Sequence, residues 1–272
     1  MKPYLVELEA AMKAARMASE YLRGAYEEFQ AIPDAPVSIS TEADRQSQEI
    51  ILQFLSGQFP LDRLCAEENT PTLQHTPTTG DRVWVVDPID GTRGFVMKNG
   101  EFSVMIGLMD CGKIVVGVVA ESALDRFTFA TAGGGCWVKT GDGEPQPCRV
   151  TSVAVLADST LIQSHAKPGR SNPPVEAVQP RRVMETYSAG VKLAMVARGD
   201  GDLYVNTYAK FADWDICAGH LLVTEAGGTV TEFNGTPLKY GQPKFAQNGG
   251  LLAANAVLHP LAIKALRSVS LG

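Results

Sequence analysis

Two acids, Asp87 and Asp90, stand in Val83-Trp84-Val85-Val86-Asp87-Pro88-Ile89-Asp90-Gly91-Thr92 with the Ile89 carbonyl between them. Carboxylates and carbonyls in this arrangement are hard oxygen donors, suited to Mg²⁺, Mn²⁺ or Ca²⁺. Gly91 lets a backbone approach closely, and Thr92 adds a hydroxyl. Four β-prone apolar residues before Asp87 predict a strand covered on both faces. Pro88 lacks an N–H, so it is expected to end the pairing and leave both acids at an exposed rim. The same residues also suit an ordinary turn, with Asp87 in an Asx-turn and Asp90 opening a short helix.

Other acids sit where elements begin or end. Glu67 and Glu68, in Cys65-Ala66-Glu67-Glu68-Asn69, follow a predicted strand at 62–66. Asp215, in Trp214-Asp215-Ile216-Cys217-Ala218-Gly219, opens an apolar helix predicted over 215–225 and ended by Gly227-Gly228. Asp44 belongs to Thr41-Glu42-Ala43-Asp44, a capping-box start for a helix with an Ile50, Ile51, Phe54, Leu55 stripe. Each has a plainer use: a solvated loop for Glu67 and Glu68, a first-turn acid favoured by the helix dipole for Asp44 and Asp215. No cluster of His or Cys offers a zinc site instead.

The elements that must position these acids follow from periodicity. Residues 4–29 carry Leu5, Leu8, Met12, Ala15 and Leu22 at helical spacing. Short β-rich segments at 102–108, 113–120 and 127–130 read as an antiparallel meander. Gly133-Gly134-Gly135 precedes a strand-like Cys136-Trp137-Val138, which favours a hairpin or bulge over a phosphate cradle. Residues 167–180 hold four prolines and are expected to form a loop near a boundary or a lid. Beyond them, helices are predicted at 189–197 and 258–266, and strands at 202–205 and 229–232. Two halves, 1–150 with most of the candidate acids and 151–272 with Asp215, are expected to stack as α and β layers without a linker.

Composition limits the partners. The chain has 272 residues, 45% hydrophobic and 20% charged, enough for a large core. A net charge of −6 supplies no basic footprint, so neither nucleic acid nor an anionic membrane is an expected partner. Five scattered cysteines without a C-x-x-C pair fit reduced thiols, and no continuous apolar run suits a signal peptide or membrane span. A cytoplasmic protein is expected.

Taken together, Ser40-Thr41-Glu42-Ala43-Asp44, Ala66-Glu67-Glu68-Asn69, the run from Val85 through Asp87, Asp90 and Arg93 to Phe95, and Trp214-Asp215-Ile216-Cys217-Ala218-Gly219 resemble the inositol monophosphatase superfamily. These are Mg²⁺-dependent, often lithium-sensitive phosphomonoesterases. The resemblance spans most of the chain in the expected order. It implies an α+β or α/β fold, the layered αβαβα sandwich of the inositol monophosphatase and sugar phosphatase type. By it, Glu67, Asp87 and the Ile89 carbonyl hold one Mg²⁺, and Asp87, Asp90 and Asp215 a second, with Asp87 bridging. Glu67 and Asp44 serve a weaker third ion, and Mn²⁺ is an expected substitute. Thr92 and Asp44, with Glu67, are the implied catalytic residues that prepare the attacking water. Amides near Gly91, Thr92 and Arg93 are implied to bind the phosphate of a small substrate. A homodimer is compatible with this reading, although the sequence itself gives no oligomeric state.

The segment 95–119, Gln163-Ser164-His165 and the stretch from Val191 and Lys192 to Gly199 are more similar to the 3′(2′),5′-bisphosphate nucleotidase branch. That branch implies an adenine-side contact at His165 and a positive charge at Lys192 for a second phosphate. Two departures stand beside it. Ser188-Ala189-Gly190-Val191-Lys192 is one residue longer than the branch's S-x-x-K, and Asn206 replaces a basic residue after Leu203-Tyr204. The plainer alternatives are an ordinary surface or core histidine and a solvated helix lysine. Removal of the 3′-phosphate of 3′-phosphoadenosine 5′-phosphate is the expected reaction. Inositol monophosphate, histidinol phosphate and fructose 1,6-bisphosphate are alternative substrates, and a metal- or nucleotide-binding regulatory module is the non-enzymatic one. A haloacid-dehalogenase-like phosphatase would show D-x-D-G-T near its first strand, whereas the spacing here is D-x-x-D, far into the chain.

Overall fold

A computed structural model describes residues 4–36, 39–166, 169 and 171–271. Five layers alternate. The first pairs α1 (Leu5–Glu28) with α2 (Glu42–Gln58), whose apolar stripes cover one face of a seven-stranded sheet. That sheet runs β1 (Arg63–Ala66), β2 (Arg82–Asp90), β3 (Ser103–Asp110), β4 (Lys113–Glu121), β5 (Arg126–Thr131), β6 (Gly135–Thr140) and β7 (Gln146–Pro147) in spatial order. Two short helices, α3 (Pro71–Gln74) and α4 (Thr92–Val96), lie in its connections, and α5 (Pro173–Val178) follows in the second half. The middle layer pairs α6 (Ala189–Arg198) with α7 (Asp213–Glu225).

Beyond it lies a five-stranded sheet built from β8 (Thr160–Gln163), β9 (Arg182–Glu185), β10 (Leu203–Asn206), β12 (Gly228–Thr231) and β14 (Leu251–Asn255), in the order β12-β14-β10-β8-β9. A small pair, β11 (Phe211–Ala212) with β13 (Ala246–Gln247), stands apart. The outermost layer is α5 with α8 (Leu258–Ala265). The expected αβαβα sandwich is therefore what the chain forms. Among the described residues no helix is long and apolar enough to cross a membrane.

The helix at 4–29, the capped start at Thr41, the meander and the hairpin after Gly133 form where expected. Three expectations change. Pro88 does not end β2: pairing passes from Asp87 opposite Met105 to Asp90 opposite Ser103. Three steps on β2 thus face two on β3, a bulge that absorbs the missing proline donor. The acids are consequently buried, Asp87 at 2% and Asp90 at 6% exposure, and not at an exposed rim. Residues 167–180 include the helix α5, started by Asn172 accepting the Val175 N–H at 3.4 Å; residues 167, 168 and 170 lie outside the described residues.

Small residues bring the middle layer onto the first sheet. Gly107 and Gly117 are cross-strand partners. A Cβ on Gly107 would lie 2.7 Å from Cys217 Sγ, and one on Gly117 would lie 2.6 Å from the Ala218 carbonyl oxygen. Gly219 sits equally close to Leu193 of α6. The Cys-Ala-Gly after Asp215 is thus the packing face of α7, and its depth carries Asp215 to the end of β2. Replacing Gly117 by Val should destabilise the fold by about 1–3 kcal/mol through overpacking. Thermal unfolding together with divalent-cation titration checks this: stability and cation affinity should fall together.

Candidate metal centre and active site

The site is assembled from six element ends. Helix α2 presents Asp44, Ser47 and Gln48 on one face, at i, i+3 and i+4. Ser47 Oγ donates to the Pro88 carbonyl at 3.0 Å, tying α2 to the bulge in β2. Gln48 Nε2 donates to the Glu68 carbonyl at 2.6 Å and its oxygen accepts the Glu68 N–H at 2.8 Å, which fixes the loop carrying Glu67. Neither Ser47 nor Gln48 belonged to a recognised motif, although their helical spacing from Asp44 was the available signal.

Oxygens of Asp87, Asp90 and Asp215 lie within 4.8 Å of one another. Asp87 Oδ1 accepts the Ile89 N–H at 3.0 Å, so the Asx-turn anticipated as an alternative coexists with the cluster. Asp90 faces the start of α6, accepting the Ala189 N–H at 3.1 Å, the Gly190 N–H at 2.7 Å and the Ser188 and Ser103 hydroxyls. Gly190 permits this approach, because a Cβ there would meet Met105 Sδ at 2.6 Å. Asp215 accepts the Ala212 N–H at the start of α7. Glu67 stands outside the close trio. Ser188 was noted in the sequence only for its spacing to Lys192, and Ser103 and Glu101 were given no role, since a single serine or glutamate carries no spacing signal.

Thr92 Oγ1 lies 2.9 Å from Asp44 Oδ1 and 3.0 Å from the Ile89 carbonyl. Asp44 is held in turn by the Thr41 N–H at 2.7 Å and the Thr41 hydroxyl at 2.6 Å. A Thr41–Asp44–Thr92 chain therefore leads from the cap of α2 to the first residue of α4. The N–H groups of Thr92 and Arg93 begin α4 and lack helical acceptors, as first-turn amides do. Gly91, at φ 84°, turns the chain into α4, and a Cβ there would sit 2.7 Å from the Glu101 carbonyl oxygen.

The two residues implied to contact a nucleotide lie in different surroundings. Lys192 is not a solvated helix lysine: it is 1% exposed, and Nζ donates to the Thr186 carbonyl at 2.8 Å and the Tyr187 carbonyl at 3.1 Å. Its charge is directed inward and does not reach solvent for a second phosphate. His165 has Nε2 2.6 Å from Glu101 and Nδ1 3.6 Å from Glu185, and its ring packs on Tyr187 at a 37° tilt with centroids 4.3 Å apart. The Arg93 guanidinium lies 5.1 Å over that same Tyr187 ring.

Electrostatics show what the acids require. No basic side chain forms an ion pair with Asp44, Glu67, Asp87, Asp90 or Asp215 among the described residues. Burial, then the charges of Glu67, Asp90 and Asp215, raise Asp87 well above the usual carboxylate range. Burial raises Asp215 to about 7 against the pull of the Ala212 N–H, with Asp90 adding to the rise. Glu67 keeps solvent contact as a residue, yet protein crowded around its carboxyl and the charges of Asp215 and Asp44 push it to about 8. Burial also lowers Lys192 to about 8, with Asp90 opposing the shift. An all-oxygen donor set left short of positive charge fits a hard divalent cation.

Five alternating layers around such a centre define an αβαβα protein with a cation-ready acidic site. More particularly, residues 5–271 match the Inositol monophosphatase family, and the chain belongs to it. It is 32% identical to the inositol-1-monophosphatase of Mesorhizobium japonicum over 273 residues, covering 96% of this chain and 95% of that one. It is 29% identical to the 3′(2′),5′-bisphosphate nucleotidase CysQ of Shigella flexneri over 246 residues, covering 86% and 93%. The solved Thermotoga maritima IMPase superposes with a TM-score of 0.82 at 28% identity, over 97% of this chain and 98% of that one. Family and relatives alike make this chain a phosphatase.

Folded-state carboxyl values raised above their unfolded ones stabilise at low pH and are lost as pH rises through them. The thermal midpoint of chelator-treated protein should therefore fall between about pH 5 and 8, where Asp215 and Glu67 ionise. Saturating Mg²⁺ should flatten the fall; the same slope with and without the cation contradicts this. Glu67→Gln should raise the chelated midpoint at pH 8 while lowering activity, a pair of opposite signs that a structural role would not produce.

Proposed function

We propose that this chain is a cytoplasmic, Mg²⁺-dependent phosphomonoesterase that uses an attacking water. The observation that carries the reading is the convergence of Asp87, Asp90 and Asp215 within 4.8 Å beside the Asp44–Thr92 hydrogen bond. Asp87, Asp90 and Asp215 would hold the cation, and Glu67, Asp44 and the Ile89 carbonyl would add donors for a further one or two. When bound, Mg²⁺ supplies Lewis-acid polarisation of the phosphate and an acidified water. Thr92 has one hydroxyl proton and two acceptors, so donating it to Asp44 or Ile89 leaves lone pairs to accept a proton from the attacking water. The Thr92 and Arg93 amides grip phosphate oxygens as the helix start aligns them. The Thr41 bonds hold Asp44 while this happens.

For the substrate, we propose the 3′-phosphate of 3′-phosphoadenosine 5′-phosphate. The tilted Tyr187 and His165 pair, beside Arg93, would give a base aromatic surface next to the phosphate grip. Lys192 then acts from beneath, ordering the Thr186-Tyr187 backbone that bears the ring. The Glu101 and Glu185 carboxylates around His165 favour a second reading, a polyol phosphate such as inositol monophosphate, because they accept hydroxyl protons and repel a second phosphate.

Thr92→Ala should lower turnover by about 10²–10⁴-fold while cation affinity changes little. Steady-state kinetics across a Mg²⁺ series reads both; activity within about twofold of wild type would leave Thr92 a merely capping role, near 1 kcal/mol of stability. Base stacking is worth about 1–3 kcal/mol, so His165→Ala should raise KM for the bisphosphate nucleotide roughly five- to a hundredfold and spare inositol monophosphate. Equal effects on both, or a wild-type preference for inositol monophosphate, would defeat the nucleotide assignment and leave the phosphatase.

A further inference from the structure

Far from the acid centre, β6 pairs with the two-residue edge strand β7, Trp137 opposite Pro147 and Val138 opposite Gln146. One step further in this register Cys136 faces Cys148, and the Cys148 N–H donates to the Cys136 carbonyl at 2.8 Å. Antiparallel residues joined in this way have Cα atoms about 5.5 Å apart, within the span a disulfide bridges. Both cysteines are 2% exposed and unbridged. The two thiols lie close enough to interact.

A second observation concerns Arg198 at the end of α6, whose side chain is 6% exposed. Its Nη1 donates to Glu121 at 2.8 Å and Thr128 at 2.9 Å, and Nε to Asp200 at 2.8 Å, but the buried Nη2 has no acceptor. A buried donor without an acceptor is costly, and the guanidinium charge acts on Cys148. The neighbouring Cys136 thiol, aided by the Arg198 charge, holds the Cys148 thiol below its usual range despite burial. Residues 142–147, leading to Cys148, are exposed, and an edge strand with two paired residues opens locally at small cost.

We infer that Cys136 and Cys148 form a peroxide-reactive dithiol, with Cys148 the attacking sulfur and Cys136 the resolving one. The Cys148 thiolate attacks one oxygen of hydrogen peroxide and the O–O bond breaks. The sulfur keeps that oxygen as a sulfenic acid, and the other oxygen leaves as water after taking a proton. Cys136 sulfur then attacks the sulfenic sulfur; the S–S bond forms, the S–O bond breaks, and a second water carries off the Cys136 proton. Two electrons pass from the thiols to the peroxide. The bridge fastens β7 to β6 where the chain leaves the first sheet.

The reduced full-length protein is treated with hydrogen peroxide, quenched, unfolded in an alkylating reagent and mapped by mass spectrometry. A dithiothreitol-reversible Cys136–Cys148 peptide pair, lighter by two hydrogens, should appear before oxidation of the exposed Cys111. Cys136→Ser should leave a dimedone-reactive sulfenic acid on Cys148. Recovery of Cys136 and Cys148 as alkylated thiols while Cys111 is consumed would overturn the inference, and the wild-type map decides this whether or not the variant folds.

Discussion

Mutual repulsion among crowded carboxylates is the constraint around which this molecule is arranged. Asp87, Asp90 and Asp215 share a space under 4.8 Å across, with Glu67 and Asp44 adding their charge from its edges. Without a cation such a cluster relaxes by keeping protons, which is why Asp215 and Glu67 rise to about 7 and 8. The surrounding structure does not cancel the charge. Instead, backbone amides at the starts of α6 and α7 orient the oxygens, and Lys192 supplies one buried positive charge that forms no ion pair with them.

Holding the acids together therefore falls to packing. Gly107 and Gly117 let α7 press against β3 and β4, Gly190 lets α6 meet β3, and Gly219 lets the two helices meet each other. Each contact involves apolar or backbone atoms outside the site, and each sets the position of an acid within it. The bulge at Pro88 plays the same part within β2, because the extra residue lets Asp87 and Asp90 both turn inward. Preorganised donors at fixed positions are what a site for a hard, geometry-demanding cation needs.

Much of this was legible from residue patterns. The Val83–Val86 run, the Thr41 cap and the acids at element ends announced both the strand that delivers Asp87 and the helix that delivers Asp44. Burial of the acids was not legible, since a proline after a strand reads as an end when a bulge can equally absorb it. The strand Leu251–Asn255 was passed over because Leu251 and Ala253 face one core while Leu252 and Ala254 face another. With both faces covered, no alternation remains to mark a strand. Lys192 looked like a surface residue because long cations usually are, and only the tertiary fold turns it inward. Glu101, Tyr187 and Ser188 reach the site from loops, where no periodicity ties a residue to a function.

An acid centre that binds Mg²⁺ as proposed exchanges protons for the cation. Calorimetric titration of the chelator-treated protein with Mg²⁺ at pH 7, repeated in buffers of different ionisation enthalpy, measures the protons released on binding. Net proton release that falls toward zero as pH is raised above the range of Asp215 and Glu67 is the expected result. Tight binding with no buffer dependence at pH 7 would mean that the carboxylates are already ionised without the cation, and it would contradict the account.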